Sequence, residues 1–175
     1  EGINRERRDR IIRHTCNYIL SQEIDHVKYG AFFPSQSLEN NPGDDNHYSR
    51  LAWCYGDLGV ATSLWQAGKA LHNREWQEKA LEGLRFSTSR RDFRNAGVID
   101  AGLCHGAASV CMMFHYAYRQ TGEKLFEEVR DYWFDVTLNI GSRKEGLAGY
   151  SAWHMAEYGG WVKEYGLLEG ISGIG

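Results

Sequence analysis

Three side chains in this sequence could hold a soft metal ion: Cys54, Cys104 and His105. Thiolate sulfur and imidazole nitrogen are the donors that zinc prefers. Cys54 stands two residues before Gly56, and Cys104 and His105 stand directly before Gly106. Each glycine opens a run of small residues that reads as a helix start, Gly56-Asp57-Leu58-Gly59 and Gly106-Ala107-Ala108-Ser109. The number of ligands matters for the chemistry. Structural zinc is usually closed by four protein ligands, whereas catalytic zinc takes three and keeps one position open. Adjacent Cys104 and His105 cannot face one way from a regular helix. They can converge from a turn, and Gly102 and Gly106 supply the freedom for it. Cys16 and Cys111 fall inside helical runs, where cysteine serves as a small hydrophobe. His72, His115 and His154 are scattered and read as packing or surface residues. The residues alone leave two readings open: a zinc centre, or a helical domain with buried cysteines and one hydrogen-bonded histidine.

The elements that must position this trio are helical. Ile11, Ile12, Cys16, Ile19 and Leu20 recur among arginines at helical spacing between Glu6 and Leu20. From Ile24 to Tyr48 no clean period survives, and Pro34, Pro42 and Gly43 predict a long loop with a short extended piece at Val27 to Phe33. A loop of that length inside a compact domain is more often functional than idle. After Gly56 a helical run passes through Val60, Leu64, Ala67 and Leu71. Asn73 then caps a second helix carrying Trp76, Ala80, Leu84 and Phe86. A polar turn from Ser87 to Gly97 leads to the run after Gly106, through Val110, Met113, Phe114 and Ala117. Thr121-Gly122 ends it, and a following helix carries Phe126, Val129, Trp133, Phe134 and Leu138. A glycine- and aromatic-rich loop spans Gly146 to Gly160, before Gly170-Ile171-Ser172-Gly173.

A small-residue turn followed by a helical hairpin thus occurs twice, and its opening occurs a third time. The starts at Gly56, Gly106 and Gly170 lie 50 and 64 residues apart, in the range of helical hairpin arrays. Within each hairpin one helix is small and apolar nearly all round and the other has a charged face, an inner and an outer helix. The fold expected is all-α, an α/α toroid of the six-hairpin barrel type. No alternating strand pattern competes. Every inner-helix start would then lie on one rim, where exposed amides at positive helix ends suit ligands.

Composition excludes several other classes. The chain has 175 residues, 42% hydrophobic, 13% aromatic and 25% charged, enough for one domain with a core and far from a disordered profile. The formal charge of −3 does not favour nucleic acid. Arg5, Arg7, Arg8, Arg10 and Arg13 are mixed with Glu1, Glu6 and Asp9, the pattern of a solvated helix face. No apolar run is long enough for a membrane span, and no signal peptide is visible. Four scattered cysteines do not make a disulfide scaffold, so a reducing, cytoplasmic setting is expected. The first residue is Glu1 rather than methionine, and Gly175 follows a helix-start pattern directly; both ends read as cuts through something larger.

Three blocks resemble the signature of lanthionine synthetase C-like proteins, the LanC cyclases. They are Trp53-Cys54-Tyr55-Gly56, Cys104-His105-Gly106, and Gly166-Leu167-Leu168-Glu169-Gly170-Ile171-Ser172-Gly173-Ile174-Gly175. Their order and spacing are similar from Arg50 onward. The resemblance implies an α/α toroid holding one zinc, with Cys54, Cys104 and His105 as its ligands and Arg50 and Tyr55 as polar active-site residues. It implies closure of thioether rings in ribosomally made precursor peptides, the step of lantibiotic biosynthesis in which a cysteine thiol adds to dehydroalanine or dehydrobutyrine. A separate dehydratase makes the dehydro residue, and the implied setting is cytoplasmic, in a membrane-associated complex with that dehydratase and a transporter. Two other readings compete. A LanC-like module could bind zinc and a thiol such as glutathione without forming rings. A toroid of glycosidase type needs two facing carboxylates; Asp57 and Glu169 flank two of the turns, but no pair stands out.

The sequence departs from the LanC pattern in one respect. Its counterpart of the family's N-terminal His-Gly block, whose histidine is the candidate proton donor, is missing, since His14, His26 and His47 do not stand in that context. Residues 1–175 are therefore expected to be the C-terminal part of one toroid domain. The isolated 175-residue chain, given zinc and a dehydrated peptide, is expected to close no thioether ring; ring formation by the monomer, read by mass spectrometry after thiol alkylation, would contradict this.

Overall fold

The computed structural model describes residues 4–40, 47–141 and 146–174. Glu1, Pro42, Gly43 and Gly175, which figure in the expectations above, lie outside the described residues. Helix α1 spans Arg5–Ser21 and α2 is a single turn at His26–Tyr29. Two long hairpins follow, α3 (Gly56–Ala70) with α4 (Arg74–Ser87), and α6 (Ala107–Thr121) with α7 (Lys124–Ile140). The short α5 (Phe93–Ala96) lies between the hairpins, and α8 (Ile171–Ile174) begins the third glycine-rich start.

Each hairpin forms for reasons visible in its residues. The Asn73 side chain accepts the Trp76 amide and caps α4. Helix α4 then buries Trp76, Ala80, Gly83, Leu84 and Ser87, one stripe at helical spacing. Helix α7 buries Phe126, Val129, Trp133, Thr137 and Ile140 in the same way. Its partner α6 buries Val110, Met113, Phe114 and Ala117, and α3 buries Leu58, Ala61 and Leu64. A Cβ on Gly83 would sit 3.8 Å from that of Ala61, so α3 and α4 pack through small side chains. The extensive contacts lie within the two hairpins, and α3 also touches both α6 and α1. One core runs from Cys16 on α1 through both hairpins to Ile140. This hairpin packing is that of a partial α/α toroid.

The expected loop between α1 and α3 departs from the sequence reading. No extended piece forms at Val27 to Phe33. The Asp25 carboxylate instead accepts the amides of Val27 and Lys28 and closes α2, which Gly30 ends at φ +70°. His26 stacks on Phe32 with ring centroids 4.1 Å apart. A two-stranded antiparallel ribbon, β1 (Ala152–Trp153) with β2 (Trp161–Val162), was also not expected. Two residues per strand are too few to leave an alternating pattern. The arginine-rich half of α1 is solvated, as its mixed charges imply. No helix among the described residues is long and apolar enough to cross a membrane.

Where the chain enters α3 it is held by a buried ion pair. Asp57, fully buried, accepts the backbone amides of Phe32 and Phe33 on Oδ1, each at 2.9 Å. Its Oδ2 lies 3.2 Å from Nη1 of Arg90, itself 3% exposed. The Nε–H of Arg90 donates to the Asn95 carbonyl at 2.8 Å, and Nη2 donates to the Ser49 carbonyl. Four separate stretches therefore meet at one carboxylate–guanidinium pair. Removing one partner of a buried pair strands the other charge. Asp57→Ala is expected to lower unfolding free energy by about 3–5 kcal/mol, measured by urea titration; a loss below about 1 kcal/mol would show that the pair does not anchor α3.

Candidate metal centre

Two helix starts deliver the cysteines. Gly56, at φ +65°, begins α3; a Cβ there would fall 2.1 Å from Ser49 Oγ. Only glycine fits that turn. Gly106 caps α6, and a Cβ there would lie 2.1 Å from the Gly102 amide nitrogen and 2.5 Å from Asp100 Oδ1. Each glycine thereby lies tightly against the chain that precedes it. The Trp53 amide donates to the Cys104 carbonyl at 3.0 Å, and the Cys104 amide donates to the Leu168 carbonyl at 2.7 Å. All three sequence blocks thus lie side by side, joined backbone to backbone.

This arrangement brings Cys104 Sγ to 3.3 Å from Cys54 Sγ, with both thiols free. The Cys104 thiol donates to the Cys54 sulfur. Burial first, then the neighbouring Cys54 sulfur and the Glu169 carboxylate, push the Cys104 thiol up to about 12. Two thiolates this close repel unless a cation lies between them. Tetrahedral zinc with Zn–S bonds of 2.3 Å would set its sulfurs about 3.8 Å apart, close to the spacing here. Burial, and then the positive charge of Arg50, lower the His105 pKa and favour the neutral imidazole, the form that ligates metal. Donor chemistry therefore fits zinc. Convergence is incomplete, because among the described residues no three His, Cys, Asp or Glu side chains gather closely enough to hold a metal ion. The structure joins the two sulfurs and leaves His105, next to Cys104 in sequence, outside a closed set.

Arg50 and Tyr55 both face this centre. The charge of Arg50 acts on Cys104, His105 and Tyr55. Burial is the larger influence on Tyr55 and raises its pKa, so the phenol keeps its proton and remains a donor. Cys16 is buried and Cys111 half-buried in the hairpin core, and burial raises both thiols. His72 and His115 are exposed. The two carboxylates that a glycosidase would need are not available as a pair. Asp57 is consumed by its amides and Arg90, while the Glu169 charge acts on the Cys104 thiol.

Two neighbours of the thiol pair, Asp100 and His154, were not read as site residues from the sequence. Asp100, 3% exposed, accepts the Gly102 amide at 3.0 Å through Oδ1 and the Trp153 amide at 2.8 Å through Oδ2. It ties the Cys104–His105 turn to β1. His154 Nε2 lies 3.1 Å from Glu169 Oε2 and 3.7 Å from Glu164 Oε1. That nitrogen is buried and not aligned for a hydrogen bond with either. Glu169 in turn acts on Cys104 and His105. The Asp-x-Gly spacing at Asp100 is a local turn signal; nothing local marks His154, which arrives from the aromatic loop.

An all-α hairpin array with two thiols and an imidazole at consecutive glycine-rich helix starts defines a thiol-rich rim of α/α toroid type. A model of the family described as lanthionine synthetase C-like protein matches residues 1–175. The chain belongs to that family.

The rim geometry gives a stability expectation. Asp100→Ala would leave two amides, those of Gly102 and Trp153, without their acceptor. It is expected to cost about 2–4 kcal/mol in urea unfolding, with Asp100→Asn costing less; an unchanged midpoint in both variants would refute this role.

Proposed function

We propose that this chain carries the thiol-activating centre of a zinc-dependent lanthionine-type cyclase acting on a dehydrated ribosomal peptide. The observation that supports it most directly is the 3.3 Å approach of Cys54 and Cys104, thiols from segments 50 residues apart. Cys54, Cys104 and His105 would hold one zinc ion with a fourth position open to substrate. Bound zinc supplies positive charge that keeps an incoming peptide thiol as a nucleophilic thiolate at neutral pH.

In the reaction the cysteine sulfur bonds to the β-carbon of dehydroalanine or dehydrobutyrine. The alkene electron pair moves onto the α-carbon and carbonyl as an enolate. One proton leaves the thiol and one is gained at the α-carbon, so the step is a net addition. Arg50, whose charge reaches Tyr55, Cys104 and His105, stabilises the enolate oxygen. Tyr55 keeps its proton and donates it as a hydrogen bond to a peptide carbonyl, fixing the substrate beside Cys54. The dehydratase that prepares the peptide is the partner this chemistry requires.

The purified chain is expected to carry about one zinc ion by elemental analysis. Cys54→Ala, Cys104→Ala and His105→Ala each lose it, while Cys111→Ala retains it. Zinc retained in both Cys104→Ala and His105→Ala would sink the ligand assignment. A zinc-loaded protein that binds thiols such as glutathione, yet closes no ring even within its complete toroid, would reduce the centre to a thiol-binding module.

A further inference from the structure

Beside the sulfur pair lies a groove that shares Cys54 with that pair and Phe33 with the core. It has a volume of about 260 Å³ and runs between the last turn of α1, the loop after Phe33 and the start of α3. Tyr18, Gln22, Phe33 and Pro34 line it together with Cys54 and Tyr55. Its outer wall is fixed rather than loose. Buried Gln22 accepts the Leu38 amide at 2.7 Å on Oε1 and donates from Nε2 to Glu39 Oε1 at 3.2 Å. The Tyr18 hydroxyl donates to Glu39 Oε2 at 3.0 Å. Glu39 is thus bound to the wall, and among the described residues no charged side chain lines the groove.

We propose that this groove receives the residues flanking the reacting cysteine of the substrate peptide, and that it selects for uncharged neighbours. The inference rests on the cyclase reading and names the substrate class it would take. Cys54 lines the groove, so chain lying there is next to the reacting thiol. A space below the ~300–1,000 Å³ of small-molecule sites suits a short stretch of chain rather than a free ligand. A charged side chain entering it would lose water against Ile19, Phe33 and Pro34 and meet no opposite charge from the lining. Small uncharged residues, dehydroalanine and dehydrobutyrine among them, enter without that loss.

Calorimetric titration of the zinc-loaded 175-residue chain with three synthetic peptides tests this: Gly-Ala-Cys-Ala-Gly, Gly-Asp-Cys-Asp-Gly and Gly-Lys-Cys-Lys-Gly. The alanine peptide is expected to bind about tenfold more tightly than either charged one. Ser35, an exposed loop position that lines the groove, supplies a variant with little risk to folding. Ser35→Glu is expected to strengthen the lysine peptide about fivefold and weaken the aspartate peptide, while N-acetylcysteine amide binds unchanged. Equal binding of all three peptides, unaltered by Ser35→Glu, with N-acetylcysteine amide still bound, overturns the groove and leaves the thiol centre standing. Failure of N-acetylcysteine amide to bind at all overturns the cyclase reading and the groove with it.

Discussion

A carboxylate with no exposed surface stands three residues after Cys54, and much of the site's geometry descends from it. Asp57 holds the Phe32 and Phe33 amides and faces Arg90, which reaches on to the carbonyls of Ser49 and Asn95. Ser49 precedes Arg50, Phe33 lines the groove, and Asp57 itself lies in the first turn of α3. The positions of Arg50, Cys54 and the groove wall are thus set by a single desolvated ion pair. Such a pair contributes little net stability over an apolar replacement, but it penalises any arrangement that leaves one charge alone. Its effect here is on register: α3 can begin in only one place.

Asp100 plays the corresponding part for the second turn. It is also buried and also accepts two backbone amides, from Gly102 and Trp153. The two anchors differ in their surroundings. Asp57 has a guanidinium partner, whereas Asp100 has only amide donors and the nearby His105 ring, whose pKa its charge raises against the stronger pull of burial. One turn is held by charge pairing together with amide donation, the other by amide donation alone. Both leave their cysteine thiol pointing to the same place.

How much of this could be read from residues alone depended on the range of the forces involved. The hairpins were legible because their cause is local and periodic: Trp76, Ala80 and Leu84 repeat on one stripe, as do Phe126, Val129 and Trp133. Cys54 and Cys104 were legible because equivalent positions before Gly56 and Gly106 imply one rim. At Val27 to Phe33 a short extended piece was expected, but the Asp25 cap and the distant Asp57 carboxylate decided the conformation. Asp100 and Trp153 lie 53 residues apart, and neither announces the other. The contacts of Gln22 and Tyr18 with Glu39 join residues 17 and 21 positions apart, which no helical period marks. What local pattern cannot carry is which distant backbone amide a buried carboxylate will find.

The backbone ladder from Trp53 through Cys104 to Leu168 has a consequence for how the protein acquires its chemistry. Each hairpin can form from contacts close in sequence, which are made quickly. The ladder joins segments that are each a whole hairpin apart and so closes only after the hairpins have docked. A chain with all its helices in place can still lack the thiol pair. The centre therefore reports complete assembly, and it is also the part that local opening would release first.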